Sequence, residues 1–174
     1  MADETSSHRA MFDETPIRGA PYEKGRWRAI AVHDETRIHG FFGPYRFLSN
    51  MWRAEVTFEG TLFPAVENAY QAAKFDRSEW ARFAALDPLE SKRVSRDMPM
   101  IWTEEEWLLR RVPVMRACVI SKFTAPALRT MLRGTRPRHL AEKNWWGDRF
   151  WGCDENDVGE NRLGELLMEI RYID

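Results

Sequence analysis

Cysteine, histidine and long apolar runs are all scarce in this chain. The two cysteines, Cys118 and Cys153, fit no disulfide framework, and His8, His33, His39 and His139 give no metal-ligand spacing. Neither a metal site nor a cofactor motif is therefore read from the sequence. No stretch approaches the roughly 20 apolar residues of a membrane-spanning helix, so no membrane role is expected. The opening MADETSSHRAMFDETP is acidic and polar, unlike a secretory signal or a basic transit peptide, and the cytoplasm is the expected compartment. A net charge of −1 excludes a generally basic nucleic-acid coat protein but leaves room for a local basic surface.

Phosphate-binding loops are missing as well. There is no GxGxxG, and Gly159–Gly164 has GxxxxG spacing but continues into Glu165 instead of lysine. Asp154, Glu155, Asp157 and Glu160 beside it would repel a pyrophosphate and suit ribose hydroxyls or a developing cation better. A solvated turn is the plainer reading. No Ser-His-Asp or Cys-His arrangement has a recognisable local motif, and Cys153 is a nucleophile only in the weakest sense.

Hydrophobic and charged residues make up 44% and 30% of a 174-residue chain, the range of one soluble, well-cored domain. Residues 1–25 lack periodicity and carry Pro16, Gly19, Pro21 and Gly25, which marks a flexible extension before a domain over 26–174. Strands are expected over 27–32 and 38–42. A hairpin is expected over 55–63, turning at Glu59-Gly60. A helix should follow from Pro64, as a first-turn proline, to about Asp76. Asp87-Pro88 with Glu90 and the capping box Thr103-x-x-Glu106 each open a helix. Pro113 should kink or split the second of these near Arg111. Helices from Pro126 to about Gly134 and from Arg162 to Tyr172 complete an α+β domain, mainly helical, with a small antiparallel sheet.

Eight tryptophans stand out, with Trp145, Trp146, Phe150 and Trp151 crowded beside Gly and Asp, a pattern that suggests flat walls for a flat ligand. In FPAVENAYQAAKF (63–75), Glu67, Gln71 and Lys74 fall within roughly 60° of one another on a helical wheel, between apolar flanks. That row is either a narrow wet stripe or a pocket wall. Two Lys-Phe pairs, Lys74-Phe75 and Lys122-Phe123, place a lysine among small or apolar neighbours. A buried head group there would be a depressed, nucleophilic amine, whereas the commoner alternative is a snorkelling surface lysine. Arg129, Arg133, Arg136 and Arg138 read as a solvated helix end before a phosphate contact.

GFFGPYRFLSN (40–50), FPAVENAYQAAKF (63–75), VMRACVISKF (114–123), FWG (150–152) and GENRLGELLMEIR (159–171) resemble, in order and spacing, the NADAR family. The likeness covers roughly 38–172. It implies the NADAR/YbiA-like fold and an enzyme that cleaves an N-glycosidic bond to ribose in a nucleotide-like substrate. YbiA-like members are associated with early riboflavin-pathway ribosylamines. Other members remove ADP-ribose from modified guanine in nucleic acid, often as antitoxins to a modifying transferase. The first block and VENAYQAAK resemble the second group more, which implies an ADP-ribosylated nucleobase as substrate and a toxin transferase as possible partner.

Carried over by motif, Glu67 takes the place of the catalytic glutamate and Asp148 that of an active-site acid. Lys74 and Lys122 match the block lysines, either of which could form a Schiff base with opened ribose. Phe42, Gly43, Arg46, Ser49, Asn50, Asn68, Gln71, Trp107, Trp151, Gly152 and Asn161 are the implied substrate-binding set. Met51 after LSN, Asn68 where His is frequent, and Pro113 in the Trp107 helix depart from the pattern. Two readings from other classes stay open: a non-catalytic ADP-ribose reader, and an interaction module if the tryptophans of the loop prove to be buried core.

Overall fold

A computed structural model describes residues 33–173. The expected strand over 27–32 and the extension over 1–25 lie outside the described residues. Strand β1 (Arg37–His39) pairs in parallel with β4 (His139–Ala141), and β2 (Arg53–Phe58) pairs antiparallel with β3 (Thr61–Ala65). The second pair is the expected hairpin. Its turn residues Glu59 and Gly60 both have positive φ, the geometry of a tight two-residue connection. The first pair is a parallel addition to the antiparallel sheet that the sequence suggests, and its β4 strand was not anticipated.

Six α-helices follow the hairpin or flank its partners: α1 (Val66–Ala72), α2 (Trp80–Ala85), α3 (Pro88–Val94), α4 (Glu104–Lys122), α5 (Pro126–Arg133) and α6 (Arg162–Ile170). Pro64 belongs to β3, and α1 begins two residues later and ends at Ala72, short of Asp76. In a two-stranded ribbon an edge is always available, so proline is tolerated there without opening a helix. The expected strand to Phe42 stops at His39, because Gly40 turns the chain at φ +127° into a 3₁₀ segment over Gly43–Leu48.

Local signals hold at the helix starts. The Asp87 side chain accepts from Leu89 N–H, Pro88 occupies the first turn, and Thr103 and Glu106 form both halves of a capping box. Pro113 does not split α4, which runs unbroken for 19 residues; the proline lies on its exposed side, where water can take the carbonyl it leaves unpaired. α1 lies centrally, with every residue buried, packed against α2, α3 and α4. Phe63, Phe83, Ile38, Leu48, Met115, Leu132, Leu140, Leu163 and Leu167 fill the core around it. No helix among the described residues is long and apolar enough to cross a membrane.

Candidate active site

Of the three polar residues in the row, Glu67 and Gln71 lie on α1 and are buried, while Lys74 just beyond it is half-buried, so the row is not a wet stripe. Glu67 is 5% exposed, and its Oε1 accepts from Gln71 Nε2 at 2.8 Å. Gln71 Oε1 in turn accepts from Ser95 Oγ at 2.6 Å, and that hydroxyl also reaches Lys92 O. An i, i+4 spacing makes the first bond possible, and the second ties α1 to the end of α3. A buried carboxylate held by a chain of neutral donors keeps one oxygen and its position fixed while the other oxygen is left for chemistry.

Lys74 follows just beyond α1. Its Nζ lies 5.5 Å from the Tyr70 ring centroid and 5.7 Å from that of Trp107, and those two rings are 5.4 Å apart. Burial pulls the Lys74 ammonium below the ordinary lysine range; Glu67 opposes this, and Lys92 and Arg96 reinforce it. Trp107 is buried despite Pro113 further along α4. Tyr70 also meets Trp151 edge-on at 5.6 Å, so Trp107, Tyr70 and Trp151 form one aromatic cluster beside the lysine. Burial raises the Tyr70 hydroxyl, and Glu67 and Asp148 add to that, which keeps it a neutral phenol.

The third side comes from the stretch between β4 and α6. Asp148 Oδ1 accepts from the N–H groups of Phe150 and Trp151 at 3.1 and 2.9 Å, and Asn144 clamps the loop by bonding the Asp148 backbone at both N–H and C=O. Asn161, in a left-handed conformation at φ +48°, accepts from Glu142 N–H and donates to Leu140 O, both at 2.9 Å. Gly152 leaves no room for a side chain: a Cβ there would sit 2.2 Å from Glu142 O. Asn161 and Gly152 thus act on the backbone that carries Glu142.

Glu142 itself was not among the sequence candidates. Burial pushes its carboxyl up to about 8, with the negative charges of Asp148 and Glu67 adding to the effect and Lys92 opposing it. At neutral pH this is a proton-bearing acid beside two further carboxyl groups. Its sequence setting, HLAEKNWW, offers no local sign of this. Only the fold brings it opposite α1.

The remaining candidates occupy other places. Lys122, 1% exposed, donates from Nζ to Ser49 O at 2.8 Å, and burial lowers it to about 7. The next residue, Asn50, accepts from Glu67 N–H through its carbonyl at 3.0 Å and places its amide on Met115 Sδ. Lys122, Ser49 and Asn50 therefore brace the start of α1 from behind. Asn68 faces away from Glu67, its amide donating to the carbonyls of Phe83 and Leu86. Arg46 is half-buried in the 3₁₀ segment that Gly43 opens at φ +51°. Phe42 packs 5.6 Å from Trp145, and Trp145 meets Trp146 at 4.6 Å. Trp145 and Trp146 are exposed and Trp151 is half-buried, so this cluster is not a fully buried core.

Several sequence features resolve as structure. Arg129, Arg133, Arg136 and Arg138 donate to Phe123 O, Ile173 O, Arg171 O and the Tyr45 hydroxyl. Cys153 is buried with its thiol pushed up by burial and Asp157. Among the described residues no group of His, Cys, Asp and Glu is placed to hold a metal ion.

The NADAR domain family matches residues 35–173. An N-glycosidase of Nostoc punctiforme is 34% identical over 134 residues, covering 74% of this chain and 85% of the relative. The N-glycosidase YbiA of Escherichia coli is also 34% identical over 134 residues, covering 73% and 80% respectively. A riboflavin biosynthesis protein of Vibrio vulnificus is 36% identical over 145 residues, covering 82% of this chain, which spans only 37% of that protein's length. The NMR structure of E. coli YbiA superposes with a TM-score of 0.69 at 31% identity, covering 83% of this chain and 88% of that one. The α+β fold is that of YbiA, and the chain belongs to the NADAR domain family.

Proposed function

We propose that this protein is an N-glycosidase that removes ADP-ribose from ADP-ribosylated guanine in nucleic acid. The observation that carries the reading is the buried Glu67 carboxylate, fixed through Gln71 and Ser95 and within electrostatic reach of Lys74 and Glu142, with Asp148 acting on Glu142 in turn. Cleaving a ribosyl C–N bond builds positive charge at the anomeric carbon while electrons collect on the departing nitrogen. Glu67 stabilises that carbon and takes a proton from the attacking water; the water oxygen bonds to C1, and the C–N electron pair leaves with the base. Asp148 adds negative charge on the sugar side. The aromatic frame of Tyr70, Trp107 and Trp151 excludes water and offers faces to a base.

A second route rests on the same site. Lys74, half-buried and with its ammonium destabilised, can attack C1 of the opened ribose; the guanine nitrogen leaves, and water hydrolyses the resulting imine to release the amine. The alternative substrate is a ribosylamine, as the resemblance to YbiA-like members implies; the name of the Vibrio relative, a riboflavin biosynthesis protein, points to the same pathway.

Incubation with ADP-ribosylated guanosine DNA and, separately, with such a ribosylamine, read by mass, tests the substrate. Release of ADP-ribose and unmodified DNA is expected. Glu67→Gln should lower the rate by at least about 100-fold with the fold intact; near-normal turnover would remove the carboxylate from the mechanism. A borohydride-trapped adduct lost in Lys74→Ala selects the lysine route, and the absence of any adduct during turnover selects direct hydrolysis. Binding of ADP-ribose without product would make the protein a reader.

A further inference from the structure

We infer that the exposed Trp145–Trp146 pair is a stacking platform for nucleotides flanking the modified base, so that the substrate is engaged as a single strand. This rests on the nucleic-acid reading of the site above. Trp145 and Trp146 are 41% and 50% exposed, although tryptophan is among the costliest side chains to leave in water. They meet at 4.6 Å with planes 78° apart, and Phe42 packs on Trp145 at 5.6 Å, so the pair is held in place from behind.

The platform stands beside the candidate site: Asn144, the residue before the pair, holds the Asp148 backbone. Lys92 Nζ lies 6.0 Å from the Trp146 ring, and the same lysine acts electrostatically on Lys74 and on Glu142. Arg96, one turn further along the chain, also acts on Lys74, and Arg93 and Arg96 are exposed. Lys92, Arg93 and Arg96 outnumber Glu90 and Asp97, the acidic residues of that stretch, by one charge.

Exposed aromatic faces beside a short cationic edge are what a single strand requires: bases stack without sequence preference and phosphates follow the cations. A duplex keeps its base faces covered and cannot use such a platform. A modified guanine entering a recessed site must in any case leave the stack, which its neighbours then lose as well. Trp145 and Trp146 replace that lost stacking outside the reacting centre.

Fluorescence anisotropy of a labelled, unmodified DNA single strand of about 12 nucleotides tests this directly. Wild type should bind the strand, prefer it to the matching duplex, and weaken with salt. Trp146→Ala should weaken binding by about 5- to 100-fold, and Trp146→Phe should restore part of it. Lys92→Gln should weaken binding and reduce the salt slope by about 1. Equal affinity for duplex, no binding at low salt, or an unchanged affinity in a folded Trp146→Ala protein overturns the platform. Displacement of the strand by micromolar ADP also overturns it, because the rings would then hold the adenine of one nucleotide. Since the probe carries no modification, its loss concerns this surface alone, while failure to release ADP-ribose in the mass assay concerns the reaction alone.

Discussion

Lys122 is buried and Glu142 half-buried, and each is driven toward its neutral form. Lys122 falls to about 7 from 10.5, so between those values the unfolded chain binds a proton that the native state does not. Stability therefore rises with pH through that window. Replacing it, Lys122→Met, should flatten this dependence: unfolding in urea at pH 7 and pH 9 should show wild type gaining roughly 1 kcal/mol per pH unit relative to the variant. Equal slopes would show that the ammonium is not excluded from water in solution. Glu142 moves the other way, from 4.5 up to about 8, so the native state holds the extra proton. Its contribution is present below pH 4.5 and is lost as the pH rises through about 8. The neutral isostere, Glu142→Gln, should remove that loss. Placed beside Glu67 and Asp148, the acid form can also protonate the departing base. Activity should then decline above about pH 8, and Glu142→Gln should lower the rate about 100-fold. A variant with wild-type rates and an unchanged alkaline limb would assign Glu142 to stability alone.

At the scale of elements, helix starts were the most legible part of the chain, because a cap is a local device. Asp87-Pro88 and Thr103-x-x-Glu106 act within four residues, and both helices begin where those signals stand. Strands β1 and β4 are three residues each and pair across about 100 positions, so although a strand was expected over 38–42, no local pattern marks β4 or the parallel pairing. Pro64 misled for a related reason: its fixed φ suits a first helical turn and an edge strand alike, and only the pairing of β2 with β3 decides. The docking of α6 on β4 depends on a residue without a side chain. A Cβ at Gly164 would sit 2.2 Å from Leu140 O and 2.5 Å from the Asn161 amide nitrogen, the same amide that fixes the β4 end. The substitution Gly164→Ala should destabilise the protein by about 1–3 kcal/mol through this overlap. It should also lower activity more than stability requires, since Asn161 positions the backbone of Glu142. Circular-dichroism melts beside rates measured well below the transition separate the two effects; unchanged stability would mean that α6 can lift off β4 without cost.

In the whole molecule, the candidate site unites α1, the end of α3 and the β4–α6 connection, segments far apart in sequence. Glu67, Gln71 and Lys74 could be seen as one row because α1 and the turn directly after it carry them; the burial of Glu67 and Gln71 could not, since α3 and the 142–151 stretch supply the cover. Lys92, Ser95 and Glu142 went unnoticed for the same reason: each is chemically ordinary until the chain closes. That construction has a thermodynamic consequence. A ligand spanning these segments meets its full set of partners only in the folded chain, so binding should stabilise the domain as one unit. At 100 times its dissociation constant, ADP-ribose should add about 2.7 kcal/mol, or a rise in Tm of roughly 5–10 °C for a domain of this size. The rise should appear as a shift of one transition, and Glu67→Gln should keep most of it, because the amide preserves the packing while removing the charge needed for turnover. Differential scanning fluorimetry with ADP-ribose and a riboflavin-pathway ribosylamine in parallel gives the discriminating result. Stabilisation by the ribosylamine alone would move the substrate assignment to the riboflavin branch, with the Glu67 chemistry unchanged.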